Sequence, residues 1–225
     1  MNEIEDDAEA AGAAAAEAPA LCPRCQKPVA LCVCEALTEH RGKVQVLVLR
    51  HPQEKDRVLG TAKMIEQQVP GSKVVTGLSW RNLGAVLKKD AEPKEWGVLY
   101  QGAKAARPGK DAAPLVAVDK KAAPLEDQQA GLKGIKGIIL LDGTWSQAKT
   151  LWWRNAWLLK CRRLVLAPSQ PSAYGKLRRE PRRDSLSTLE AAALAVSVLE
   201  RDDKLYDRLT APLRLLVQKA GGKQA

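Results

Sequence analysis

The sequence contains no phenylalanine, only two histidines, two methionines and three tyrosines in 225 residues. A core must therefore be filled by Leu, Val, Ile, Ala and the six tryptophans, within a hydrophobic content of 45%. No stretch approaches the ~20 consecutive apolar residues of a membrane helix, which excludes a helical membrane span. Residues 1–20 hold six acids and nine alanines but no Lys or Arg. With no basic start and no aliphatic run they do not read as a signal peptide, and a disordered acidic leader is expected. These absences together predict a soluble, cytoplasmic protein. With the leader set aside, 36 basic residues face 20 acidic ones, a net +16 against the +10 of the whole chain. Such an excess suits a polyanionic partner, because every phosphate neutralised by Lys or Arg releases a condensed counterion.

Cysteine is scarce but concentrated. Four of the five residues, Cys22, Cys25, Cys32 and Cys34, form a C-x2-C-x6-C-x-C pattern. Two close thiol pairs on turns suit tetrahedral Zn2+, and four thiolates leave no open position for catalysis. A structural zinc knuckle is expected over residues 21–40, rather than the disulfides of a secreted chain. The fifth, Cys161, reads as a small buried residue.

From residue 41 to 220, apolar runs alternate with helical patterns. Strands are expected at 44–49, 73–76, 96–100, 115–118, 138–141 and 163–167. Helices are expected at 61–69, 80–89, from 144 onward, at 187–201 and at 205–219. Alternation of this kind predicts one α/β domain with a mostly parallel sheet flanked by helices. Trp145, Ala148, Trp152 and Ala156 fall at i, i+3, i+7 and i+11, and the tryptophans at 145, 152 and 153 read as core rather than as a base-stacking platform.

The most informative segment is Leu140-Leu141-Asp142-Gly143-Thr144-Trp145. An apolar strand stops at an acid just before a helix begins. Ligands of open α/β sheets bind outside the carboxyl ends of the strands. Thr144-x-x-Gln147 is a capping box, so Thr144 has a local role of its own, while Asp142 precedes the cap. Ser187-Thr188-Leu189-Glu190 is a second capping box, whose helix amino end suits an anionic group. His51, one step past a strand end, stands with Glu54 in a polar loop. Between residues 172 and 184, Tyr174, Lys176, Arg178, Arg179, Arg182 and Arg183 combine an aromatic with five cations, which suits phosphate contact and base stacking.

The ordered set of these segments resembles the DTW-domain tRNA-uridine aminocarboxypropyltransferases. The set is the cysteine knuckle, His51-Pro52-x-Glu54, Thr61-Ala62-Lys63, Asp142-Gly143-Thr144-Trp145, Ser172-x-Tyr174 with Leu177-Arg178, and Ser187-Thr188-x-Glu190-Ala191. The resemblance spans most of residues 21–205, and Lys63 stands where that family more often carries Arg. It implies a SPOUT-like fold with a knotted carboxyl-terminal region. It further implies transfer of the 3-amino-3-carboxypropyl group from S-adenosylmethionine to N3 of a uridine in tRNA. On that footing Asp142 is the catalytic candidate, accepting the imide proton or positioning the donor. His51, Glu54, Thr61, Leu141, Gly143, Thr144, Trp145, Ser187, Thr188 and Glu190 become candidate donor-site residues, and the 174–183 loop a candidate tRNA contact. A SPOUT-like RNA methyltransferase and a non-catalytic zinc-stabilised RNA-binding factor stay open as alternatives.

Overall fold

The computed structural model describes residues 20–54, 58–99, 113–175 and 186–221. The expected acidic leader lies almost wholly outside them. Six strands form one sheet: β1 (Gln45–Arg50), β2 (Lys73–Thr76), β3 (Trp96–Leu99), β4 (Leu115–Val118), β5 (Gly137–Asp142) and β6 (Arg162–Leu166). Their order is β2-β1-β5-β3-β6-β4, parallel throughout except for edge strand β4, which runs antiparallel to β6.

The central strands are apolar on both faces, as a sheet covered on both sides requires. Val46 and Val48 of β1 and Ile138 and Leu140 of β5 enter one cluster. That cluster is closed by α1 (Ala62–Gln68), α5 (Thr188–Glu200) and α6 (Leu205–Gly221). Leu47, Leu49 and Ile139 point to the other face. There they meet α2 (Leu83–Leu87), Trp96, and a 3-10 turn at Ala156–Lys160 that buries Trp157 and Leu158. α4 (Trp145–Arg154) packs against β5 through buried Ala148 and Leu151.

Three expectations are corrected. The second helix is five residues long, not ten. Asn82 caps it by accepting the Ala85 N–H at 2.8 Å, and Lys88 ends it at φ +55°. A short α3 (Gln128–Leu132), capped by Asp127, lies where no helix was expected. The apolar stripe from Trp145 to Ala156 does not continue, because α4 stops at Arg154. Buried Asn155 turns the chain there: its side-chain amide binds the Leu151 and Leu78 carbonyls at 2.8 and 3.0 Å and accepts from Trp80 N–H at 2.8 Å. Trp153, on the side of α4 away from buried Ala148 and Leu151, faces solvent and is 71% exposed.

The knuckle is anchored rather than appended. Val33 is fully buried in the first cluster, and Lys219 of α6 donates to the Cys32 carbonyl at 2.6 Å and to Glu35 at 2.8 Å.

Candidate active site

The parallel register of β1 on β5 pairs Arg50 with Asp142, so both strands deliver a charged residue to the same edge. Both side chains are largely buried, and Arg50 Nε lies 3.4 Å from Asp142 Oδ2. The other carboxylate oxygen accepts the Thr188 hydroxyl at 2.5 Å. Thr188 is the first residue of α5, placed by the capping box that Ser187 and Glu190 form. A carboxylate has about four lone-pair sites. Asp142, clamped between a guanidinium and a hydroxyl, keeps capacity for further donors.

Around this pair the expected residues gather from four segments. The His51 backbone N–H donates to the Asp142 carbonyl at 2.9 Å, and its Nδ1 accepts the Gln53 N–H at 3.3 Å. Gln53 in turn accepts from the Gln147 amide at 2.9 Å, tying the loop after β1 to α4. Gly143 sits in the tight turn between them. A Cβ there would lie 2.8 Å from Gln147 Cβ and 3.4 Å from His51 Cβ, so a side chain would displace the cap. Thr144 completes its capping box with Gln147, and Trp145 opens α4 half-turned to solvent at 37% exposure. Leu141, one residue before Asp142, packs against the second cluster.

Several expected ligand contacts turn out to be internal. Leu189 N–H goes to Thr61 Oγ1 at 3.3 Å, Glu190 N–H to Ser187 Oγ at 3.1 Å, and Ala191 N–H to the Ser187 carbonyl at 2.9 Å. The amino end of α5 is thus largely satisfied by the protein itself. Both oxygens of buried Glu190 are engaged, by Ser172 Oγ, Ala173 N–H and Ser187 N–H at 2.7–2.8 Å. That carboxylate pins the 172–173 segment to α5. Glu54 is also buried. Tyr174 is 1% exposed and its hydroxyl donates to the Leu59 carbonyl. The expectation that it stacks on a base is therefore corrected: its ring belongs to the core. Lys176, Arg178, Arg179, Arg182 and Arg183 lie outside the described residues.

Two contributors escaped the sequence reading. Arg50 carried a signal, a cation closing an apolar strand next to a strand-end acid, but its neighbour was fixed only by the register. Lys27 carried none. It leaves the knuckle, is buried, and donates to the Val58 and Gly60 carbonyls at 2.7 and 2.8 Å. Burial pulls its ammonium down to about 8, against the pull of Cys25 and with the push of Arg50. The 58–61 segment is thus held by Lys27 from one side and by Tyr174 and Leu189 from the other.

The four knuckle sulfurs lie within 4.8 Å of one another. Cys22–Cys34 is 3.6 Å and Cys25–Cys32 is 3.8 Å. Ligands about 2.3 Å from a tetrahedral ion are separated by about 3.8 Å, so the spacing suits a metal. Backbone N–H groups of Cys25 and Arg24 pull the Cys22 thiol down to about 6, while burial and the neighbouring sulfurs push Cys34 up to about 12. Cys161 is apart from this cluster and buried, which pushes its thiol up to about 12 and leaves it unreactive. A surface depression of about 760 Å3, lined by residues 117–120, 130–131 and 159–163, lies at the amino end of β6 and is not part of this site.

A mostly parallel sheet, a strand-end carboxylate and a capped helix closing on it define an α/β domain of the class that binds ligands at the carboxyl edge of its sheet. Within that class the chain belongs to the DTW-domain family, whose model matches residues 19–220. It is 33% identical over 201 residues to a Drosophila melanogaster protein named tRNA-uridine aminocarboxypropyltransferase 2, covering 87% of this chain and 72% of that one. Proteins of the same name from Macaca fascicularis and Mus musculus are 30% and 29% identical over 204 residues, covering 87% of this chain and 61% of theirs. No solved structure matches.

Proposed function

We propose that the protein transfers the 3-amino-3-carboxypropyl group of S-adenosylmethionine to N3 of a uridine in tRNA. The N3–C bond forms, the C–S bond breaks, methylthioadenosine leaves and the imide proton is released. The observation that carries this reading is the Arg50–Asp142 pair clamped by Thr188 at the sheet edge, in a chain whose relatives bear that activity in their names. The group to be moved is an amino acid head, with one charge of each sign, and the pair offers it one of each. Asp142 meets the donor's ammonium or the uridine N3–H. Arg50 lies near enough to orient the donor carboxylate. His51, Leu141, Gly143, Thr144, Trp145 and the Ser187–Thr188 cap shape the wall around it, while Thr61, Glu54 and Glu190 hold that wall in place. Sulfonium chemistry needs no metal, because the positive sulfur is already a good leaving group. The enzyme's work is alignment, which can be worth ~7–11 kcal/mol.

The knuckle then carries a structural Zn2+ on Cys22, Cys25, Cys32 and Cys34, consistent with a reducing, cytoplasmic setting. Among the described residues no helix is long and apolar enough to cross a membrane. SPOUT kinship with a carboxyl-terminal knot is part of the same reading. What supports it is the return of the chain after β6 to β5, where α5 packs and Thr188 reaches Asp142. The cations at 176, 178, 179, 182 and 183 enter on charge, as the tRNA-phosphate contact.

Incubation with S-adenosylmethionine and bulk tRNA, followed by mass analysis of both, is the test. Methylthioadenosine with a matching mass gain on uridine is expected. Adenosylhomocysteine would mark a methyltransferase, and no product a binding factor. Affinity for tRNA should fall by roughly two orders of magnitude between about 50 and 200 mM salt if some five phosphates are contacted. A salt-insensitive affinity excludes the basic surface.

A further inference from the structure

α4 leaves the Asp142 edge and runs back along the sheet. Its inward face is Ala148 and Leu151. Its outward face carries Trp145, Lys149 and Trp153, spaced i, i+4, i+8 and so aligned on one side of the helix. All three are exposed, Trp153 the most of any tryptophan in the chain at 71%. Eight residues of helix put Trp153 about 12 Å beyond Trp145. Exposed Arg154 follows it, and exposed Arg81 lies on the adjoining 78–81 segment, which Asn155 and the Ser79–Arg154 hydrogen bond (3.1 Å) hold against the end of α4. Arg163 sits 5.6 Å from the Trp152 ring centroid, alternating cation and aromatic once more.

The charge along this stretch is of one sign. From Gly143 to Arg163 the sequence has no Asp or Glu and five Lys or Arg. A large aromatic left in water, on a helix that carries Lys149 and Arg154 and no acid, suits a polyanion that also presents flat apolar faces. Unpaired nucleotides do both: bases stack on indoles, and phosphates meet Lys and Arg. A second copy of the chain suits it poorly, because a two-fold contact would set this basic face against itself.

We propose that the outward face of α4, centred on Trp153 and Lys149, is a second tRNA-binding surface, distinct from the 174–183 loop. It holds unpaired nucleotides flanking the target uridine while Asp142 receives the target itself. This rests on the proposed aminocarboxypropyl transfer for its geometry, and on charge and exposure for its partner. Trp153 thereby becomes a determinant of which tRNA region reaches the site, with no part in the chemistry.

The test compares full-length wild type with Trp153→Ala, Trp153→Phe and Lys149→Ala, using bulk tRNA, S-adenosylmethionine and thermal melting. Trp153→Ala should weaken tRNA binding roughly ten- to a hundredfold, with an equal rise in KM for tRNA. Donor affinity, kcat at saturating tRNA and melting temperature should be unchanged, since the side chain is exposed. Trp153→Phe should restore most of the binding and Lys149→Ala should flatten its salt dependence. Unchanged tRNA affinity in Trp153→Ala overturns the proposal. So does a loss of self-association in that variant without a loss of tRNA binding. If the wild type yields no methylthioadenosine yet Trp153→Ala still loses tRNA, the transfer reading falls and the surface stands.

Discussion

Replacing Asp142 by Asn is expected to lower aminocarboxypropyl transfer by about 10²–10⁴-fold, the range for loss of a positioned proton acceptor. Asn preserves the shape and still accepts the Thr188 hydroxyl, so the cap of α5 should survive. What disappears is the negative charge beside Arg50, which is only 6% exposed. Removing one partner of a buried pair typically costs about 3–5 kcal/mol, because the other charge stays in a poor solvent. At roughly 2–4 °C per kcal/mol for a chain of this size, melting should fall by about 6–20 °C. The double variant Asp142→Asn/Arg50→Met separates stability from chemistry. It removes both charges, so stability should largely return while transfer does not. Donor affinity, measured separately, assigns the role. Retained donor binding with no transfer makes Asp142 the acceptor of the N3 proton. Lost donor binding makes it the anchor of the ammonium. Wild-type turnover in Asp142→Asn removes it from both.

The parts of this site that sequence could reveal are those written in local chemistry. Asp142 was visible because an apolar strand ends on it, and the two capping boxes because their residues lie three apart. Both boxes form with the expected partners. The cysteine cluster was visible for the same reason. Arg50 was not, since only the β1–β5 register sets it against Asp142, and nothing local fixes register between strands about ninety residues apart. Trp153 was misread because its apolar character outweighed its position: within α4 it lies on the side away from buried Ala148 and Leu151. Buried Asn155 ends α4 by hydrogen bonds to residues far away in sequence. Tyr174 was misread in the opposite sense: a basic neighbourhood suggested a surface, whereas the Leu59 carbonyl draws the hydroxyl inward. For Arg50 and Tyr174 a long-range contact decided what no local pattern could.

Removing the zinc proposed for the four-cysteine cluster should reach the candidate active site, although the cluster stands apart from Asp142. Metal analysis of the purified protein is expected to give about one zinc per chain. Without an ion, sulfurs 3.6–3.8 Å apart repel one another once ionised. Cys32→Ser, or a strong chelator, should therefore loosen residues 22–34. A loss of some 3 kcal/mol, modest beside the ~10–16 kcal/mol of structural zinc binding, lowers melting by about 6–12 °C. The consequence travels through Lys27. Its ammonium holds the Val58 and Gly60 carbonyls, and the next residue, Thr61, receives the Leu189 N–H at the start of α5. One residue earlier on that helix, Thr188 fixes Asp142. Donor affinity should accordingly drop when zinc is lost, and also in Lys27→Met, which leaves every sulfur in place. Normal zinc content with weakened donor binding in Lys27→Met places the coupling in that side chain. Unchanged donor binding there, with a drop in Cys32→Ser, places it instead in the packing of Val33. A metal-free protein that melts like the zinc-loaded one refutes the structural role altogether.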